Sequence, residues 1–155
     1  MPAAIPAQLE HVGDAAIKVA KPLEFGDVGT GERRIIAIDG GHFSGPKLQG
    51  EVLPGGADFQ IIRPNGFTIL EARYPLRTND GALIYIENNG VRFGSPEVIA
   101  KLKRGEPVDP ALVYFRSVIR FETAAPQYRW LMESIFVCAG QRRPDAVELS
   151  VFRLA

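Results

Sequence analysis

The stretch Gly40-Gly41-His42-Phe43-Ser44-Gly45-Pro46-Lys47-Leu48-Gln49-Gly50-Glu51-Val52-Leu53-Pro54-Gly55-Gly56-Ala57-Asp58 decides how this chain is read. Glycine at 40, 41, 45, 50, 55 and 56 lets the backbone take positive φ or approach another group closely. Such a run opens either a phosphate cradle or a sharply bent sheet. No lysine-serine or lysine-threonine pair follows the glycines and no helical pattern opens after them, so the phosphate reading falls. The run predicts strands turning a Gly45-Pro46 corner, with a Pro54-Gly55-Gly56 kink that aims Asp58.

Outward from that run, glycine and proline cut the chain into pieces of roughly ten residues, the spacing of short strands joined by tight turns. Strands are predicted over Ala15–Lys21 (the later part of a first strand), Arg33–Phe43, an interrupted Leu48–Arg63, Phe67–Thr78 and Ala82–Phe93. After a helix come Val113–Thr123, Trp130–Gly140 and Val147–Leu154. Pro64-Asn65-Gly66 and Asn79-Asp80-Gly81 are hairpin signals of the type I′ kind. Asn88-Asn89-Gly90 predicts a bulge or turn inside its strand. The helix has Ser95 as N-cap, Pro96 at the first position, Glu97 in the first turn and Gly105 beyond its end. A short helical turn is placed at 127–129. The expected architecture is mainly β: one domain over 1–155, an antiparallel closed β-barrel of about eight strands with one short helix.

Bulk properties narrow the function classes. The chain has 155 residues, with 18 basic and 18 acidic side chains and no formal net charge. That argues against nucleic acid or an anionic membrane as partner, since both select a basic footprint. Low net charge also leaves little protection against self-association, so a homo-oligomer is expected. One cysteine, Cys138, rules out an intramolecular disulfide, and the N-terminus lacks a secretory pattern; the expected compartment is the cytoplasm. Two histidines, His11 and His42, are too few for a His-rich metal site, and no cofactor motif is present; none is expected.

Two strands mix charge with large apolar residues. In 67–78, Glu71 and Arg73 share parity with Phe67 and Ile69, and Tyr74 shares parity with Leu70 and Leu76. In 114–123, Tyr114, Arg116, Arg120 and Glu122 share one face. Such residues form either an exposed ion-pair ladder of little energetic weight or the polar lining of a ligand pocket. Alternation alone leaves both open, because a one-residue register change exchanges the faces. Asp58, at the start of a strand segment where a turn former is not needed, is a candidate site residue, and His42 is another. Cys138, in Ile135-Phe136-Val137-Cys138-Ala139, reads as a packed core thiol.

The glycine run, followed by Ala72-Arg73-Tyr74, Asp80-Gly81-Ala82-Leu83-Ile84-Tyr85, Tyr114-Phe115-Arg116, Arg120-Phe121-Glu122-Thr123 and Tyr128-Arg129-Trp130-Leu131, resembles the domain-of-unknown-function family 3237 along nearly the whole chain. The resemblance implies an antiparallel β-barrel, commonly oligomeric, with no settled activity. It singles out Asp58, Arg73, Tyr74, Arg116, Arg120, Glu122 and Trp130, which all fall within its motifs. Where the family pattern has asparagine after Trp-Leu, this chain has Met132, which implies a different or more apolar ligand.

These residues support three readings. In the first, a cofactor-independent lyase or isomerase works on a small aromatic or enolisable compound. Asp58 and Glu122 then transfer protons, Arg116 and Arg73 hold an anion, and Tyr74, Tyr114, Trp130, Met132 and His42 contact the ligand. In the second, the barrel carries an apolar metabolite without turnover. In the third, the charges form a subunit interface and the barrel is filled.

Overall fold

The computed structural model describes residues 2–155. Ten strands follow in order: β1 (Leu9–Val19), β2 (Leu23–Asp27), β3 (Glu32–Ser44), β4 (Gln49–Val52), β5 (Gly56–Ile62), β6 (Thr68–Thr78), β7 (Leu83–Phe93), β8 (Tyr114–Glu122), β9 (Ile135–Arg142) and β10 (Ala146–Leu154). One α-helix, α1 (Pro96–Lys103), and 3₁₀ turns at Pro110–Leu112 and Pro126–Met132 complete the chain.

Every pairing is antiparallel, and the order β1-β10-β9-β8-β7-β6 continues through β4 and β5 to β3. β3 then returns to β1, through Ile17↔Gly41 and Ala15↔Phe43, and the barrel is closed. Closure removes the exposed edges of an open sheet. β4 and β5 are one strand broken at Leu53–Gly55: both pair with β3 on one side and β6 on the other. β2 lies outside the ring, as a hairpin on β3.

The glycine run makes this closure sterically possible. Gly41 has φ +138°, and a Cβ there would sit 2.1 Å from the Ala16 carbonyl oxygen. Only glycine lets β3 come so close to β1. The register slips beside it, between Lys18 and Val19, so β3 bends there.

Both expected hairpins form, with a different turn. The amide of Gly66 donates to the Arg63 carbonyl and that of Gly81 to the Thr78 carbonyl, while Gly66 and Gly81 have φ near +87° and +89°. Among the described residues only glycine has positive φ. Each loop is therefore a type I turn closed by a left-handed glycine, which needs one positive φ where type I′ needs two. β7 runs through Asn88-Asn89-Gly90 in unbroken register with β6 and β8, so no bulge forms there. The strand expected from Trp130 begins at Ile135 instead. Trp130 and Leu131 lie in the 3₁₀ turn after Pro126, where they pack on the core. β2 was not expected: it is exposed along its whole length and carries no alternating pattern.

α1 starts as expected. The Ser95 hydroxyl accepts from the Val98 amide at 3.2 Å, and Gly105 (φ +76°) ends the helix. Ile99 and Leu102 pack against Ile62 and plug one end of the barrel. The other end is filled by Leu48, Val52, Leu76, Ile84, Phe121, Leu131 and Phe136. No helix is long and apolar enough to cross a membrane among the described residues.

Candidate functional site

Between the helical plug and the filled end lies a cavity of about 50 Å³. A water needs roughly 10–15 Å³ of such space, so this one admits a few waters or a compact organic molecule. Its apolar wall includes Ile17, Ile36, Ile38, Leu70, Ala72, Phe115 and Leu149. Its polar wall is Asp58, Gln60, Tyr74, Asn88, Arg92, Ser117 and Arg142.

Strand register explains the grouping. Asp58 on β5 stands opposite Ala72 on β6, and Ala72 opposite Asn88 on β7. Gly90 faces Ser117 and Arg92 faces Phe115 across β7 and β8. Gly56 sets the approach: a Cβ there would lie 2.1 Å from the Arg73 carbonyl oxygen and 2.6 Å from the Tyr74 Cβ. Its absence lets β5 lie flush on β6 and turns Asp58 inward.

A hydrogen-bonded relay orients Asp58. Glu24 on β2 accepts from Arg34 Nε at 3.0 Å. Arg34 Nη1 donates to Gln60 Oε1 at 3.3 Å, and Nη2 donates to the Lys103 carbonyl at 3.4 Å. Since Gln60 accepts through its oxygen, its amide nitrogen must donate onward. It does, to Asp58 Oδ2 at 2.8 Å. Asp58 Oδ1 is buried and has no partner. The residue as a whole is partly accessible, yet the carboxyl end is enclosed. Burial pushes its pKa above the ordinary carboxylate value, against the Gln60 hydrogen bond, the Arg92 charge, a weaker approach of the Glu71 backbone amide and the Arg142 charge, which pull it down.

Around it the polar groups are left unmatched. Arg92 is 2% exposed, and its Nε lacks a partner, as do Asn88 Oδ1 and Ser117 Oγ. Burial brings Arg92 down to about 10, with Asp58 holding it up and the Arg142 and Arg34 charges adding to the fall. It stays a cation at neutral pH, with its guanidinium 5.9 Å from the Phe115 ring centre. Arg142 is half-buried, and its Nη1 donates to the Ala146 carbonyl at 2.9 Å and to the Arg143 carbonyl. Burial pushes the Tyr74 hydroxyl up as well, so it enters any reaction as a neutral donor.

Of the residues singled out from the sequence, Asp58 and Tyr74 line this cavity. The others lie elsewhere. Arg116, Glu122 and Tyr114 alternate outward on β8, all exposed, and the Arg116 guanidinium lies 5.4 Å from the Tyr114 ring centre. Arg73 points outward on β6, with its Nε 3.9 Å from Glu87. That is the exposed-ladder reading, decided by register. His42 sits on an outer groove with Asp14, Ser44 and Glu148. Trp130 packs against Phe136 at the filled end, beneath the Lys47 amine. Met132 is 45% exposed at the end of its 3₁₀ turn, away from the cavity.

Gln60, Asn88, Arg92, Ser117, Arg142 and Arg34 were not singled out. Parity carried their signal. Asn88 and Arg92 continue the face of Ile84 and Ile86, Arg34 that of Ile36 and Ile38, and Arg142 that of Phe136 and Cys138.

The chain matches the model of a family described as "Protein of unknown function (DUF3237)" over residues 7–154. It belongs to that family. A UPF0311 protein of Rhodopseudomonas palustris is 48% identical over 147 residues, which are 95% of this chain and 96% of the relative. A UPF0311 protein of Clostridium acetobutylicum is 47% identical over 94% of this chain and 93% of its own. The crystal structure of a conserved protein of unknown function from R. palustris superimposes with a TM-score of 0.94 at 47% identity, covering 98% of this chain and 100% of that one. A crystal structure of an enzyme from Penicillium herquei shares the fold at 16% identity and a TM-score of 0.75, over 100% of this chain and 99% of that one. At that identity the likeness extends to the barrel alone.

Proposed function

We propose that this DUF3237 barrel is a cofactor-independent acid–base catalyst, an isomerase or lyase for a small aromatic or enolisable compound, with Asp58 as the proton-transfer group. One observation carries the reading: a carboxyl group faces a mostly apolar cavity with one oxygen held by Gln60 and the other buried without a partner. A group that only stabilised the fold would have both oxygens matched, since an unmatched buried acceptor costs about 1–3 kcal/mol. Burial raises the Asp58 pKa toward the working range of a general acid or base.

The assignment differs from the two-carboxylate scheme built on Asp58 and Glu122. Glu122 is exposed on the outer face, and Asp58 is the single acidic side chain in the cavity wall. One carboxyl can remove a proton from one atom and return it to another, which favours a proton shift over chemistry that needs a separate acid and base. Tyr74, kept neutral by burial, is placed to donate to a developing oxyanion, as is Arg92.

The test is hydrogen exchange in deuterated water. The protein is incubated with a panel of small enolisable ketones and phenolic acids, and deuterium incorporation or product is followed by NMR. Exchange or turnover above background that falls at least a hundredfold in Asp58→Asn supports the proposal. A compound that binds and is neither exchanged nor converted would favour the carrier reading. Full turnover by Asp58→Asn would remove Asp58 from the chemistry.

A further inference from the structure

The charge of the cavity wall is unbalanced, and the imbalance points to a substrate class. Three arginines approach the polar end and one carboxyl faces them. Arg34 is already committed, to Glu24, Gln60 and the Lys103 carbonyl. Arg92 makes no such pairing, and Arg142 gives one nitrogen to backbone carbonyls and none to an anion. Among the described residues, no acidic side chain comes within 4.0 Å of either guanidinium. Arg92 is almost wholly buried, with Nε unmatched. A buried cation without a partner is costly, and its usual resolution is a paired, hydrogen-bonded anion. Asp58 supplies it only in part: Oδ2 is turned to Gln60, and the charges of Asp58 and Asp145 reach the two arginines from beyond ion-pair distance.

We infer that the cavity takes a compact monocarboxylate, its anionic group held by Arg92 and Arg142 and its apolar body laid against Ile17, Ile36, Leu70 and Leu149. The inference rests on the cavity being the reaction site proposed above. Carboxylate geometry suits the donors, because a guanidinium presents parallel N–H groups to two oxygens. The lining excludes neighbouring classes. A phosphate monoester, with about two negative charges at neutral pH, would add to Asp58 more negative charge than Arg92 and Arg142 balance. An amine would face two like charges. A neutral amide would bring no charge to pair with either guanidinium. The volume of about 50 Å³ limits the ligand to a small body.

Arg142 also reaches toward the segment after α1. It lines both the cavity and a second, smaller void of about 10 Å³, bounded by Leu102, Val108, Pro110 and Val113.

Calorimetric titration with one apolar body in three charge states tests the class: isovalerate, isovaleramide and isoamylamine. The expected result is that isovalerate binds at least tenfold more tightly than the amide, and that the amine does not bind. Arg92→Met and Arg142→Gln should each weaken isovalerate at least tenfold and leave the amide unchanged. Should Arg92→Met fail to fold, Arg142→Gln, at a half-buried position, keeps the test open. Asp58→Asn should keep or tighten isovalerate binding, since it removes a negative charge facing the anion. Equal affinity for amide and acid, no binding of isovalerate at millimolar concentration, or undiminished affinity in Arg142→Gln would each overturn the inference. The two proposals fail separately. Carboxylate binding without exchange or turnover removes the catalyst and leaves the anion site; turnover of a neutral compound with carboxylates ignored does the reverse.

Discussion

The two ends of this barrel are built from the same strands and obey opposite rules. At one end Leu76, Ile84, Phe121, Leu131 and Phe136 fill the interior, with Phe136 edge-on to Phe121 at 5.5 Å between ring centres. Toward the α1 end the same strands turn Asp58, Gln60, Asn88, Arg92 and Ser117 inward, around space, with several polar atoms unmatched. β7 shows the change within one strand: Ile84 and Ile86, then Asn88 and Arg92, all on one face. The filled end supplies stability, and the open end gives some of it up for a polar, enclosed space.

If that contrast is right, the largest loss of stability comes from the filled end. Phe136→Ala should destabilise the protein by about 3–5 kcal/mol, the range for removing a buried aromatic ring. Chemical denaturation measures it directly. A loss below about 1 kcal/mol would mean that this end is less tightly packed than its near-zero exposure implies.

A large substitution at the open end should behave in the opposite way. Arg92→Met removes a buried cation that has no close anion and replaces it with a flexible apolar chain. The expected change is a gain of about 1 kcal/mol or more, in the sense seen when buried charges give way to hydrophobic residues. A loss of about 3 kcal/mol would show Arg92 to be a structural member of a matched network, and the contrast would break.

The pH dependence of Asp58 sharpens the comparison further. Its pKa is raised in the folded state, so the folded protein holds this proton more tightly than the unfolded chain does. The contribution is fully present below the unfolded value near 3.8 and is lost as pH rises through the raised folded value. Over that window Asp58→Asn should flatten the wild-type decline, and at neutral pH the variant should be the more stable of the two. Thermal melts from pH 3.5 to 8 would show it. Parallel profiles for the two proteins would mean that the carboxyl is solvated.

How far the sequence disclosed all this follows the same division. Where one face of a strand is uniformly apolar, as along Ile84 and Ile86, alternation fixes the inside without further help. The glycine run disclosed the bends, because Gly41 and Gly56 are required where two backbones nearly touch. The site was harder to read for a physical reason. At the open end the inward face is itself polar, so Arg92 and Arg142 look like surface charges, while Arg116 and Glu122, beside Tyr114 and Val118, look as though they belong to a pocket. Pairing register separates the two sets, and register is a property of the assembled sheet. Asp58 and Tyr74 are legible in the sequence because each lies beside a backbone feature or among apolar neighbours of the same parity.

The smallest expected effect tests where the cavity stops. Cys138 stands opposite Ser117 on the neighbouring strand, on the same inner face, yet the cavity wall does not include it. Burial pushes its thiol up to about 12, so at neutral pH almost none is thiolate, the form that reacts with alkylating agents. Iodoacetamide should therefore label Cys138 in the native protein only at the slow rate set by opening of the barrel, and rapidly once denaturant unfolds it. Isovalerate, by stabilising the closed form, should slow the native rate further. Native labelling as fast as that of a free thiol would mean that the open end reaches past Ser117 to Cys138. The boundary between the two halves of the interior would then lie deeper than the packing places it.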